Sequence, residues 1–332
     1  MNSVRRNQTE VINMSGKRAL ISGGSGFIPS HLVRQLMRNG QEVAVTVRYD
    51  NPIKNERLKD IWSDIHVIEA DLRNRGALEK GLKDYRPDTI YHLAAYNHVG
   101  QSFYQVEECF DVNAKGTANI LDSCELVGGV ERFVYMSTSE VYGEQDRVPF
   151  TEDMNPCPIS PYAITKYSGE MYCRMKQQID NDLSIVIVRP FNVYGPYQSS
   201  KAVIPELIIN CLNGKDVRTT KGEQTREFNY VEDIVEGLIM AGSHKGEIEG
   251  PVNLAAAEEV PIRELVLKIA ELTGTSSKIE IGVLPYRPTE IWRMYADNSR
   301  AKTSLGWSPK VTLEEGLART VEWFRAYLEL AG

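Results

Sequence analysis

Lys17-Arg-Ala-Leu-Ile-Ser22 runs directly into Gly23-Gly-Ser-Gly26-Phe-Ile28, and the reading of this stretch decides the fold. The first six residues read as a short buried strand. Glycines follow at once, and then the amphipathic residues 31–39. A strand, a glycine turn and a helix start together form a cradle for a pyrophosphate: the glycines let backbone approach the phosphates, and the helix dipole favours negative charge there. Many strand-to-helix loops carry two glycines. This one matters because it opens a regular βαβ series.

Downstream, candidate strands fall at 19–22, 42–47, 66–70, 89–93, 133–137 and 184–189, with helices between them, notably at 112–127 and 162–178. That alternation implies a doubly wound α/β fold, a parallel sheet covered on both faces. After Pro190 the rhythm loosens. Segments 192–227 and 257–332 read as a smaller substrate-binding domain. Segment 228–256 is expected to return to the main domain, which otherwise comprises 15–191. The polar residues 1–14 are expected to form a flexible N-terminal extension.

Tyr162 and Lys166 stand four apart in Ser160-Pro-Tyr-Ala-Ile-Thr-Lys166. On a helix such residues share a face. Ser160 suits the cap and Pro161 the first turn. A free tyrosine has a pKa near 10, so acting as a base near neutrality takes a shift of ~3 units, about 4 kcal/mol. An ammonium one turn away favours the phenolate. A hydroxyl such as that of Thr138, in Ser137-Thr-Ser-Glu140, is suited to hold a substrate oxygen.

Composition sets the outer limits. The chain has 332 residues, enough for one large or two moderate domains, with 42% hydrophobic and 25% charged residues. A net charge of −7 argues against nucleic acid as the main partner. No apolar run approaches the ~18 residues of a membrane span, so no membrane partner is expected. The five cysteines are scattered without metal-ligand spacing. No metal is expected, and reduced thiols in a cytoplasmic protein are the natural reading.

The chain resembles the extended short-chain dehydrogenase/reductases, the nucleotide-sugar epimerase and dehydratase group, over roughly residues 17–328. The resemblance rests on Gly23-x-x-Gly26-Phe27-Ile28, Asp71-Leu72, His92-Leu-Ala94-Ala95, Asn113, Ser137-Thr138-Ser139-Glu140-Val-Tyr-Gly143, Tyr162-x-x-x-Lys166, Arg189-Pro-Phe-Asn192, Arg287-Pro-Thr-Glu290 and Leu305-Gly-Trp. One departure is Pro29, where the family usually has a third glycine that serves helix–strand packing. Proline is tolerated in a first helical turn.

The resemblance implies a bound dinucleotide held by Gly23, Gly26, Phe27, Ile28, Asp71, Leu72, Ala94, Ala95 and Asn113, with Tyr162 and Lys166 serving both cofactor and catalysis. NAD is expected, with NADP as the alternative. At the end of the second strand, where NAD-dependent members carry an acidic residue, this chain has Val47 and Arg48, with Asp50 just beyond. Arg48 suits a 2′-phosphate. His98, Asn192, Ile204, Arg226, Arg287 and Glu290 are implied on the substrate side, Arg226 and Arg287 as partners of a diphosphate.

Glu140 resembles the glutamate of nucleotide-sugar 4,6-dehydratases and of UDP-glucuronate decarboxylases. Many dehydratases place an aspartate just before it, where this chain has Ser139. Thr138, Ser139, Glu140, Tyr162 and Lys166 form the expected catalytic set. The expected activity is 4,6-dehydration of a UDP- or GDP-linked hexose. A C4 epimerase or UDP-glucuronate decarboxylase on the same scaffold is the alternative, and a non-catalytic NAD(P)-binding regulator an alternative of another class. Helices 112–127 and 162–178 resemble the pair that forms the family's dimer interface, so a homodimer is expected.

Overall fold

The computed structural model describes residues 16–48, 55–179, 183–286 and 290–331; the expected N-terminal extension, Asp50 and Arg287 lie outside the described residues. The expected strands form within one or two residues of their predicted bounds: β1 (Arg18–Ser22), β2 (Glu42–Val47), β3 (His66–Glu69), β4 (Thr89–His92), β5 (Arg132–Met136) and β6 (Ser184–Pro190). A seventh, β7 (Pro251–Leu254), is not singled out by the sequence pattern, being only four residues with an asparagine inside. All pair in parallel, in the order 3-2-1-4-5-6-7. The order reverses between β1 and β4, and ligands of such sheets sit outside the carboxyl ends of the strands at that point.

Helices cover both faces. α1 (Phe27–Arg38), α2 (Arg75–Tyr85), α3 (Gly116–Val127) and α4 (Pro161–Ile179) connect the strands. α1 begins earlier than its amphipathic residues indicate, because extended Gly26 (φ −67°, ψ 169°) takes the cap position and buried Pro29 fits the first turn. α3 begins later than expected. Residues Phe110–Lys115 form a wider π-type turn instead, a feature frequent at functional sites. α4 starts where the Ser-Pro pair predicts, with the Ser160 hydroxyl accepting from Ala163 N–H at 3.1 Å.

Adjacent strand residues point to opposite faces. Ile21 and Val45 therefore pack with Leu32 and Leu36 of α1, while Leu20 and Ile90 pack with Leu82 of α2 and Leu121 of α3. Each such fully buried side chain contributes about 1.5–3 kcal/mol. Farther along the chain come α5 (Val203–Leu212), α6 (Val231–Ser243), α7 (Ile262–Thr273) and α8 (Leu313–Ala331). α6 rejoins the large sheet, contributing Ile234 and Leu238 to the Ile21 cluster. α5, α7 and α8 build a separate core around Ile208, Leu265, Ile269, Leu317 and Phe324. Short strands flank this core, among them Thr225–Arg226 between Val260–Pro261 and Arg293–Met294. Among the described residues, no helix is long and apolar enough to cross a membrane.

Candidate active site

Outside the carboxyl ends of β1, β2 and β4 lies a cavity of about 560 Å³. Its wall includes Gly23, Gly26, Phe27 and Ile28 from the first turn, Arg48 after β2, Asp71 and Leu72 after β3, Ala94, Ala95 and His98 after β4, and Tyr162 and Lys166 of α4. Those twelve sequence-predicted residues are thus brought together. The turn has little slack. Gly23 has φ +69° and donates its N–H to the Thr46 hydroxyl at 3.1 Å, while a Cβ on Gly24 would come within 2.4 Å of the Val45 side chain. The first turn of α1 carries no acidic residue, so its N-terminal N–H groups face the cavity without a competing anion from their own helix. A dinucleotide pyrophosphate fits this cradle.

The far side of the turn is held by a buried chain of hydrogen bonds. Leu93 and Ala94 N–H donate to Ser22 Oγ at 3.1 and 3.0 Å. The Ser22 hydroxyl is left to donate to His92 Nδ1 (2.8 Å), and His92 Nε2–H donates to Thr117 Oγ1 (3.0 Å). Thr117 in turn donates to the Asn113 carbonyl at 2.6 Å. This order requires a neutral imidazole, and burial pushes His92 down to about 3.

Tyr162, Lys166 and Glu170 follow one another at four-residue intervals on one face of α4. Burial pushes the Tyr162 phenol up to about 12, against a hydrogen bond with the Thr138 hydroxyl that pulls it down. The expected downward pull from Lys166 is therefore not what dominates in this structure. The Lys166 ammonium sits over the Tyr135 ring at 4.3 Å, and burial lowers it to about 8. Glu170, absent from the predicted set, binds Arg189 through two nitrogens at 2.9 and 2.7 Å and accepts from Ser137 Oγ. This pair is fully buried and fixes α4 against the ends of β5 and β6. The continuing four-residue spacing beyond Lys166 is the one sequence signal that points to it.

Thr138 caps the short turn Ser139–Tyr142, accepting from Glu140 N–H at 3.2 Å. Glu140 is partly buried. Burial raises its pKa, with the Arg226 charge acting in the opposite direction, and its charge acts in turn on Tyr162. Ser139 is buried, with its hydroxyl 3.8 Å from Met294 Sδ.

The other expected residues are placed as follows. Asn113 does not line the cavity. Its side chain accepts from Tyr96 N–H (2.7 Å) and donates to the Tyr96 carbonyl and Thr165 (3.1 and 3.0 Å), so it braces the cavity wall from behind. Ile204 is buried in the α5–α7–α8 core. Asn192 donates to the Glu227 carbonyl at 3.0 Å. Arg226 does not stand free for a diphosphate: it pairs with Glu290 at 2.7 Å and donates to the Thr225 and Ile291 carbonyls. Asp71 likewise pairs with Arg73 at 2.6 Å, which holds its carboxyl below the usual range. Arg48 is exposed at the cavity rim.

Comparison with known proteins agrees with this geometry. The family model of GDP-mannose 4,6 dehydratase matches residues 20–320. The trifunctional UDP-glucose 4,6-dehydratase, 3,5-epimerase and reductase of Arabidopsis thaliana is 31% identical over 93% of this chain, which spans only 47% of that protein. The UDP-N-acetyl-alpha-D-glucosaminuronate decarboxylase of Bacillus cytotoxicus is 33% identical, over 93% of this chain and 98% of its own. Among solved structures, the UDP-glucuronic acid 4-epimerase of Bacillus cereus, in complex with UDP-glucuronic acid and NAD, superposes with a TM-score of 0.84 at 31% identity, covering 93% of this chain and 99% of its own. Dehydratase, decarboxylase and epimerase are thus about equally similar to it, and the chain belongs to the GDP-mannose 4,6 dehydratase family of extended short-chain dehydrogenase/reductases.

Proposed function

We propose that this protein is a nucleotide-sugar 4,6-dehydratase, converting an NDP-hexose to its 4-keto-6-deoxy form. The observation that carries the reading is the Glu140 carboxyl, partly buried, raised in pKa by that burial and close enough to act on Tyr162. In this reading Tyr162 accepts the proton of the sugar C4 hydroxyl, whose oxygen is held by Thr138. NAD, when bound against Gly23, Gly26, Phe27, Ile28, Asp71, Leu72, Ala94 and Ala95, would take the C4 hydride and later return it to C6, leaving no net oxidation. The C4 ketone acidifies C5–H, and Glu140 removes that proton. The departing C6 hydroxyl needs a proton. With serine at position 139, protonated Glu140 is the group that delivers it, releasing water. His98, Arg226 and Glu290 are assigned to the substrate side, the last two as an ion pair that shapes the site.

The serine at position 139, where an acid is absent, favours a second reading. A C4 epimerase or a decarboxylase of a nucleotide uronic acid needs no acid at C6 and would tolerate a serine there. Incubation with UDP-, GDP-, CDP- and dTDP-hexoses and with UDP-glucuronate, followed by mass spectrometry, separates the three. Loss of water is the expected result. Loss of carbon dioxide identifies a decarboxylase, and a mass-neutral change at C4 an epimerase.

The same reading includes a symmetric dimer. Ile164, Met171 and Met175 are all exposed along one stripe of α4, and Leu126 of α3 is 58% exposed. A second copy of these helices would cover them. Light scattering at micromolar concentration is expected to give a dimer, and Met171→Glu is expected to weaken it by at least ~10-fold. A monodisperse wild-type monomer would remove this part of the reading.

A further inference from the structure

A single guanidinium, that of Arg57, touches both the glycine turn and the segment that leads into α5. Its Nη1 donates to the Ser25 carbonyl at 3.2 Å, within the glycine turn. Its Nε donates to the Tyr197 carbonyl at 2.9 Å, in the loop that leads into α5. Both acceptors are backbone atoms, so both bonds report backbone position rather than side-chain identity. Arginine suits such a bridge because its donors form a rigid planar fork.

The surroundings hold this bridge in place. Arg34 of α1 is clamped by Asp60 at 2.8 and 2.6 Å and donates to the Arg57 carbonyl at 2.7 Å. His31, one turn earlier, donates to the Pro196 carbonyl at 2.9 Å. Tyr197 itself has φ +65°, unfavourable for a tyrosine and sustained only by its neighbours. Its ring packs edge-on to His31, under the Arg34 guanidinium, and 4.8 Å from the Trp323 ring of α8. Loop 195–202 is thus tied to the glycine turn at a strained position.

We infer that Arg57 is a positioning residue that couples dinucleotide binding to the ordering of loop 195–202. The inference rests on the reading of the cavity as an NAD site. A pyrophosphate held by the N–H groups of the turn fixes the direction of the Ser25 carbonyl. Arg57 is then held in register, and the Tyr197 carbonyl with it, so the loop opens less often. Loop 195–202 is accordingly pre-ordered by the cofactor before any sugar arrives.

Hydrogen exchange read by mass spectrometry on the full chain, with and without NAD, tests this. In the wild type NAD is expected to slow exchange in the peptide around 20–33 and, by about 5-fold or more, in that around 195–204. In Arg57→Gln the slowing at 20–33 should remain, while that at 195–204 falls below about 2-fold. Arg57→Lys, which keeps the charge but not the fork, should fall between the two. A purely structural role would speed loop exchange equally with and without NAD, leaving the NAD-dependent ratio unchanged, and would overturn the coupling. Wild-type slowing at the turn but not at the loop would overturn it as well. If NAD slows neither segment, the cofactor reading falls and takes the coupling with it.

Discussion

Tyr162→Phe is expected to lower kcat by about 10²–10⁴-fold, the usual range for loss of a positioned proton-transfer group. That corresponds to roughly 3–5 kcal/mol in the barrier. Nucleotide-sugar affinity should change by less than about 3-fold, because the phenolic oxygen moves a proton and contributes little uniform binding. The ring itself stays, so the cavity wall and the packing of α4 are kept. In the structure the surroundings of the phenol oppose its ionisation. Burial drives its pKa up to about 12, and the Thr138 hydroxyl is the partner that opposes this. No other described phenol lines the cavity next to Lys166 apart from Tyr96, whose hydroxyl is engaged with Gln105 at 2.6 Å. Rate and dissociation constant should be measured together. Retention of most of the activity would remove Tyr162 from the assigned role.

Glu140→Gln is expected to separate the two halves of the reaction. Glutamine keeps the size of the side chain but cannot accept the C5 proton. The C4 ketone should still form and then accumulate, with product formation reduced by about 10²-fold or more. In deuterated solvent the wild-type product should carry deuterium at C5, and the mutant should not exchange that position. The residue before Glu140 is Ser139, which offers no second carboxyl there. In a C4 epimerase the same substitution would slow turnover only modestly, with no C5 exchange in either protein. Mass spectrometry of quenched single turnovers distinguishes these outcomes, and a wild type without C5 exchange on any nucleotide hexose would exclude the dehydratase.

The elements with a local cause are legible in the order of the residues. Residues 17–28 carry both the strand and the turn because apolar run, glycines and helix start are contiguous. Tyr162 and Lys166 share a helix face because four-residue spacing dictates it. The large parallel sheet follows from alternation of strand and helix, each element needing cover on its apolar side. Even the cap at Ser160 can be read, since its bond to Ala163 spans three residues.

What only the tertiary structure decided concerns groups distant in sequence and the direction of side chains in irregular backbone. Arg226 and Glu290 both carry the marks of ligand-binding residues, yet they neutralise each other across 64 positions. Asn113, within the π-type turn at Phe110–Lys115, bonds both backbone groups of Tyr96, a pairing across 17 positions that no local spacing announces. The bond of Arg57 to Tyr197, 140 residues away, leaves no periodic trace at all. Sequence by itself determined the fold class and the shared helix face of Tyr162 and Lys166, because helix and strand periods and glycine turns are written in neighbouring residues. Which charges stand free, which are paired, and which segment is tied to which was decided by chain folding, because such pairings depend on where separate elements pack against one another.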